Sequence, residues 1–443
     1  MNTEELTKLT QSAYFYGFPL VFNLEQINRY VTTGIGANKA APFNTFSHAQ
    51  KLGGPKDTFV SLNNDTVYSM AQLDLSVGPL ILTVPDTANR YYVLQFVDAW
   101  TNNFAYVGTR STGNKAGAFF LTPPNWTGVI PEGMMQIKVP TRIASIVGRW
   151  SCNGVTDLKN VTAMQEETTL TAMDSSAEPI GFPKSDANVK DDIQFFETMR
   201  ASMWDLLPAE IDMPLQQSFA ALQLVEDTSL INIDSELHTI LAEGIKKGYD
   251  AVAYYLNHGS SQVENGWHLV FHAFDYNASF FEVGTINDSK WIIANRKKAI
   301  VERAVAAMGG LWGNHAYEAA YIMVWNDVNG DPLVGTNSYT LTLNPPPPVG
   351  AFWSVTMYNM PEYYMVDNLI NRYSIGDRTE GLKYTDDGAL TITISHEEPL
   401  NLIEKANWLP APTGKFRPIL RMYMPDESIL EGGYHFSGII KTI

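Results

Sequence analysis

Asn63-Asn64-Asp65-Thr66-Val67-Tyr68 gathers two amides, a carboxylate and a phenol at the head of an expected strand, groups able to hold a polar ligand or place a water. In the functional reading Asp65 accepts a proton, Tyr68 donates one, and Asn63 and Asn64 bind substrate. A structural reading stands beside it, because Asn and Asp ahead of a strand also bond their own backbone. Asp98, Asn102, Asn103, Tyr106 and Arg110 form a second set after the strand expected over 91–97. There Asp98 is an alternative base, Tyr106 an alternative donor and Arg110 a fixed cation for an anionic group, with Asn102 and Asn103 as amide ligands. If both sets serve one reaction, Asp65, Tyr68, Asp98 and Arg110 must converge on one pocket.

Other chemistry-bearing patterns are weaker. His268 and His272 have the i, i+4 spacing that puts two ligands on one helical face, but the Glu of His-Glu-x-x-His is missing and Trp267, Phe271 and Phe274 give that face a core texture. Asp327-x-Asn329-x-Asp331 begins like a calcium loop, yet Pro332 stands where glycine is required and Ser338 where the bidentate Glu belongs. No Gly-x-Ser-x-Gly elbow, phosphate loop or dinucleotide fingerprint occurs. The one cysteine, Cys152, can form no internal disulfide. No metal site and no cofactor are expected. Ten tryptophans offer stacking platforms for sugar rings, or simply core.

The elements that must position these groups belong to a chain of 443 residues, long enough for two or three domains. A net charge of −17 repels phosphate backbones and anionic lipid, so neither nucleic acid nor a membrane surface is an expected partner. No apolar run is long enough to cross a bilayer, and the start Met1-Asn2-Thr3-Glu4-Glu5 lacks the positive charge of a secretory leader. A cytoplasmic protein is expected, or an exported one if a leader was removed. An aromatic share of 12% beside a charged share of 17% points to a homo-oligomer.

Thr3 is the expected N-cap of a helix with Leu6, Leu9, Ala13 and Tyr16 at helical spacing, which Pro19 should kink or break. Residues 1–58 are read as this helix and an extended lead-in. Short β-branched and aromatic runs at 80–84, 91–97, 135–139 and 143–147 mark a β domain over 59–150. Residues 151–325 read as mainly helical, with Ile193, Phe196, Met199, Met203 and Leu206 on one face. A second β domain is expected over 326–443. The fold class is α+β and β-dominated: two jelly-roll-like antiparallel β-sandwich domains bridged by helices.

The two β regions repeat one another in order. Arg90-Tyr91-Tyr92-Val93-Leu94-Gln95-Phe96-Val97-Asp98, Tyr106-Val107-Gly108-Thr109-Arg110 and Gly148-Arg149-Trp150 are answered by Ala351-Phe352-Trp353-Ser354-Val355-Thr356-Met357-Tyr358-Asn359, Tyr373-Ser374-Ile375-Gly376-Asp377-Arg378 and Leu420-Arg421-Met422-Tyr423. An internal duplication is the reading, with Asp98 over Asn359 and Arg110 over Arg378. Asn63 to Tyr68 has no evident counterpart ahead of the second copy. A second reading is that features kept in both copies build the corners of the scaffold.

The same segments resemble a known family. Asn63 to Ser69, Arg90 to Gln95 and Thr101 to Arg110 look like the domain of unknown function catalogued under number 1254; Ala351 to Tyr358, Asn371 to Arg378, Asn407 to Pro412 and Leu420 to Tyr423 resemble its partner, number 1214. The resemblance implies two β-sandwich or jelly-roll-like domains bridged by helices, and assigns no reaction. Many members carry Asn-Arg-Asp where this chain has Asn63-Asn64-Asp65, so no cation is transferred to position 64.

The resulting expectation is a cofactor-independent enzyme, a hydrolase or lyase acting on a small or glycosidic polar substrate through Asp and Tyr acid–base groups. The alternative is a non-catalytic carbohydrate-binding, ligand-binding or assembly protein.

Overall fold

The computed structural model describes residues 1–57, 61–259 and 261–442, so Phe59 and Ile443, the outer limits expected for the two β domains, lie outside the described residues. Helix α1 (Thr3–Thr32) is capped by Asn2 rather than by Thr3: the Asn2 side chain accepts from the Glu5 N–H while the Glu5 carboxylate accepts from the Asn2 N–H. Pro19 does not break it. Its buried face, Ala13, Tyr16, Leu20, Leu24 and Ile27, packs with α2 (Gln194–Asp205), α3 (Ser235–His258) and α4 (Arg296–Gly310) in one apolar cluster, which offsets the hydrogen bond lost at the proline.

Seven strands form the first β half: β1 (Thr66–Asp74), β2 (Leu80–Val84), β3 (Tyr92–Asp98), β4 (Asn103–Gly108), β5 (Gly117–Thr122), β6 (Met135–Lys138) and β7 (Ile143–Ser151). Seven more form the second: β8 (Ala319–Val324), β9 (Ser338–Leu343), β10 (Val349–Asn359), β11 (Ser374–Gly376), β12 (Leu390–Ser395), β13 (Trp408–Pro410) and β14 (Phe416–Pro425). The large sheet of the first half runs β1-β7-β3-β4, extended at β1 by Phe46–His48, and its small sheet runs β2-β5-β6, extended at β2 by Thr169–Ala172. The second half has β8-β14-β10-β11, extended at β8 by Trp267–Leu269 and then Gln262–Glu264, and β9-β12-β13, extended at β9 by Ile440–Thr442, so the shared strands keep the same order. Each half also has one parallel pair at the same place, β5 with β6 and β12 with β13.

The second half therefore opens at Ala319, inside the stretch expected to be helical connector. His268 is likewise not helical: it lies in the strand Trp267–Leu269, paired on both sides by Gln262–Glu264 and β8, and His272 in the turn that follows, because so short a strand leaves too short a run to be told from a helix. Within each half, apolar side chains of the large and small sheets share one cluster. The outer face of the first large sheet is covered in two parts. Met70, Val97, Ile143 and Val147 meet the helices, while Tyr91, Val93 and Tyr106 join the core of the second half. The molecule is thus a mixed α and β structure of five sheets and eight α-helices among the described residues, and a seam runs between its β halves.

Candidate functional site

Register across the seam makes particular residues equivalent. On β7, Arg149 lies opposite Tyr68 of β1 and Val93 of β3; on β14, Arg421 lies opposite Tyr321 of β8 and Ser354 of β10. Tyr68 thus answers Tyr321, and Arg149 answers Arg421. Counting back three residues, Asp65 answers Glu318. The segment at 63–68 does have a counterpart, Glu318-Ala319-Ala320-Tyr321, hidden in the sequence because only its acid and its tyrosine are kept.

The sequence candidates fall in three places. At the centre of the seam, Asn63 closes a turn by accepting from the N–H groups of Asp65 and Thr66, and its amide donates to the Tyr68 hydroxyl at 2.9 Å. Asp65 is buried; Ser354 donates to its Oδ2 at 2.6 Å and the Arg378 guanidinium stands 3.9 Å away. Asn64 lies beside them with its Oδ1 buried and unbonded. The Arg149 guanidinium sits 5.5 Å from the centre of the half-buried Tyr68 ring. Arg149 and Arg421 are both within electrostatic reach of Tyr68 and Tyr423, and the Tyr423 hydroxyl, fully buried, has no hydrogen-bond partner. The Tyr321 phenol is pushed up by burial although its ring keeps partial access to water, as the wall of a recess would.

Tyr106 and Arg110 lie at one edge of the seam. The Tyr106 and Tyr317 hydroxyls each stand 2.9 Å from His315 Nδ1, and burial holds that imidazole down at about 3, so it is neutral. Arg110 donates to Glu318 at 2.6 Å and to the Gly284 carbonyl at 2.5 Å, with its guanidinium over the Tyr317 ring. Tyr91 donates to the other Glu318 oxygen at 2.8 Å. An open cleft of about 470 Å³ borders this edge, lined by Arg110, Tyr317, Pro348, Val349, Gly350, Met424, Pro425, Asp426 and Glu427.

Asp98, Asn102 and Asn103 are elsewhere. Asp98 closes the β3–β4 turn by accepting from the Asn102 backbone and side chain, both at 2.8 Å, and Arg303 donates to Asn102 Oδ1 at 2.7 Å. Burial raises the Asp98 carboxyl to about 6. Asn103 donates to the Gly313 carbonyl at 2.9 Å and accepts from Gln95 at 2.7 Å. Asp98 pairs with Ala144 at one end of β7, and Asp65 adjoins Thr66, which pairs with Ser151 at the other. At about 3.3 Å per residue the two carboxylates are roughly 20 Å apart, so the single pocket expected of Asp65, Tyr68, Asp98 and Arg110 does not form.

Arg149, Arg421, Tyr321 and Tyr423 were not singled out from the sequence as site residues. Their signal was available: both arginines sit in the repeated motifs, at matching places, where a duplicated corner needs no charge.

Residues 43–172 match the family described as Protein of unknown function (DUF1254), and residues 318–427 match Protein of unknown function (DUF1214), together more than half of the chain. The chain belongs to the family that pairs these two domains. The second family match opens at Glu318, the acid that answers Asp65 across the seam. The crystal structure of the VPA0106 protein of Vibrio parahaemolyticus is similar at 22% identity and a TM-score of 0.73, over 99% of this chain and 100% of that one, and shares the fold. An uncharacterised protein of Burkholderia cenocepacia aligns over 99% of this chain and 93% of its own at 12% identity and a TM-score of 0.44. No curated protein matches. No helix among the described residues is long and apolar enough to cross a membrane.

Proposed function

We propose that this family member is a cofactor-independent enzyme that binds a small polar substrate at the centre of the seam, with hydrolysis or elimination as the reaction class and Tyr68 as the group that gives or takes a proton. The observation that carries the proposal is the setting of Tyr68. Its hydroxyl is bonded by a neutral amide, its ring is half-buried, and a buried guanidinium stands above it to meet negative charge as it develops. Asp65 holds the Ser354 hydroxyl and so acts as a positioning residue. Asp98 and Arg110 are engaged in a turn and an ion pair, and serve the scaffold in this reading.

The test is Tyr68→Phe, which keeps the ring and removes the hydroxyl. On a substrate found by screening esters, glycosides and 2-hydroxy acids, turnover should fall about 100-fold or more with KM little changed. Unchanged turnover overturns the assignment.

The non-catalytic reading rests on the cleft beside Arg110. With Arg110 neutralised by Glu318, the free charges of its lining are those of Asp426 and Glu427, which suit a neutral polar ligand such as a carbohydrate better than an anion. Saturable binding of neutral oligosaccharides, lost on Tyr317→Ala, would favour it.

We also infer that the β halves are duplicated sandwiches of jelly-roll type, a reading supported by the equal strand order and by the clusters each pair of sheets shares. Self-association remains part of the proposal, with the exposed Trp204, Leu207 and Ile211 as the apolar surface it would cover. Light scattering near 49.3 kDa at micromolar concentration would refute it.

A further inference from the structure

Three arginines face the seam from strands of its two large sheets: Arg149 is 7% exposed, Arg417 7% and Arg421 5%. A guanidinium stays charged at any physiological pH, so burial costs heavily unless an anion or a full set of acceptors surrounds it. Arg200 shows the usual answer in this chain, with Glu197 accepting from it at 2.7 and 3.0 Å. The seam arginines have no such partner among the described residues. Arg149 donates to Gln95 Oε1 at 2.8 Å, the Trp312 carbonyl at 2.9 Å and Asn314 Oδ1 at 3.4 Å. Arg421 donates to the Ser61 carbonyl at 2.7 Å and Thr356 Oγ1 at 3.1 Å. Arg417 reaches Ser61 Oγ, stacks 3.9 Å from the centre of the Tyr363 ring, and leaves its Nε buried and unbonded.

The two carboxylates on the seam hydrogen-bond none of the three, although Asp65 lies within electrostatic reach of Arg421 and offsets part of its charge. Glu318 is engaged by Arg110 and Tyr91, and Asp65 by Ser354 with Arg378 nearby. The seam interior is therefore cationic in a chain whose acids outnumber its bases by 47 to 30. The charge is also arranged: Arg149 and Arg421 come one from each half, in matching registers, and both lie within electrostatic reach of the same phenols, Tyr68 and Tyr423. The Tyr423 hydroxyl and the Arg417 Nε–H remain as buried groups with hydrogen bonds still to make.

We infer that the ligand of the seam is a small organic dianion, one acidic group held by Arg149 from the first half and the other by Arg421 and Arg417 from the second. This rests on the seam being the binding site proposed above, and adds the substrate class. Planar guanidinium forks suit carboxylate and phosphate oxygens alike, so the shared requirement is two anionic groups on one small molecule. One from each source, succinate and 3-phosphoglycerate, tells dicarboxylate from phosphate preference.

The experiment is a thermal-shift and calorimetric panel on the whole chain at constant ionic strength, with succinate, 3-phosphoglycerate, acetate, inorganic phosphate and glucose as probes. At least one of the two organic dianions should raise Tm by about 2 °C or more at millimolar concentration while acetate and glucose do not. Arg421→Lys, which keeps the charge and loses the fork, should weaken that binding tenfold or more, and the shift measured on wild type stands even if the variant fails to fold. No response to either dianion overturns the inference. If glucose binds instead and Tyr68→Phe or Tyr423→Phe weakens it, the seam is the site but its ligand is not a dianion. If neither dianion nor glucose responds to any seam variant, both readings fail.

Discussion

Arg110 of the first half and Glu318 of the second form an ion pair at 2.6 Å, and the residues in the matching registers form its reverse, Arg378 of the second half standing 3.9 Å from Asp65 of the first. Each arginine lies two residues beyond a strand-end glycine, Gly108 or Gly376, and each acid three residues ahead of a seam tyrosine, Tyr68 or Tyr321. The two contacts clamp the seam unequally. Glu318 is 1% exposed and takes hydrogen bonds from Arg110 and Tyr91, whereas the Arg378 contact is long and leaves Asp65 chiefly to Ser354.

Glu318→Gln should accordingly be the costlier removal. It leaves a guanidinium only 20% exposed beside a neutral amide, and a loss of about 3 kcal/mol is expected. Asp65→Asn keeps an oxygen for Ser354 and should cost about 1 kcal/mol. Urea midpoints with unchanged slopes would check the order, and a larger loss for Asp65→Asn would contradict the unequal clamp.

The strand ends that aim these arginines need their glycines for space. A Cβ at Gly108 would stand 2.3 Å from the Tyr92 carbonyl oxygen, and one at Gly376 2.1 Å from that of Trp353. Backbone cannot rotate away as a side chain can. Gly108→Ala and Gly376→Ala should each lose about 2–4 kcal/mol, to similar extents, by chemical denaturation. A loss below about 1 kcal/mol at either site would mean that the strands part more easily than their packing implies.

Much of this arrangement was legible in the sequence, and the gaps have physical causes. The runs at 80–84 and 135–139 read correctly because alternating apolar and β-branched residues between turn residues admit few other structures. The helix through Pro19 did not, since local preference is overridden where a long apolar face packs on three other helices. The first strand of the second half, Ala319–Val324, was missed because Ala-Ala-Tyr-Ile-Met-Val has no helix-excluding residue and follows a helix-rich stretch. For the site, Tyr68 and Asp65 were found by residue type, but their separation from Asp98 depends on which end of β7 each adjoins. That is a matter of register, which appears only when strands pair.

Stability should depend on pH through groups that burial has shifted in opposite senses. His315 is lowered from 6.5 to about 3 and His48 from 6.5 to about 4, so the unfolded chain takes up protons first and stability is lost as pH falls below about 6.5. Asp98 is raised from 3.8 to about 6, so the folded chain takes up its proton first and stability is gained as pH falls from about 6 to 4. Asp98→Asn removes the gain and leaves the histidine losses unopposed. Urea midpoints between pH 4 and 7.5 should then fall more steeply on acidification in the variant than in wild type. Parallel curves would mean that Asp98 is not shifted by its burial.

The two seam phenols should differ in what they do, although their registers match. Tyr68 and Tyr321 each have an asparagine donating to the hydroxyl, Asn63 at 2.9 Å and Asn314 at 3.2 Å, so hydrogen bonding to the phenol does not separate them. Their neighbouring acids do. Asp65 orients the Ser354 hydroxyl at 2.6 Å, while Glu318 is spent on Arg110 and Tyr91 at the edge. On the function proposed above, proton transfer then belongs on the Tyr68 side and Tyr321 helps to hold the ligand. Tyr68→Phe should abolish most turnover with KM nearly unchanged, whereas Tyr321→Phe should keep kcat within about threefold and raise KM. Equal losses of kcat in both variants would show that neither phenol is the acid–base group and that the pair serves only to bind.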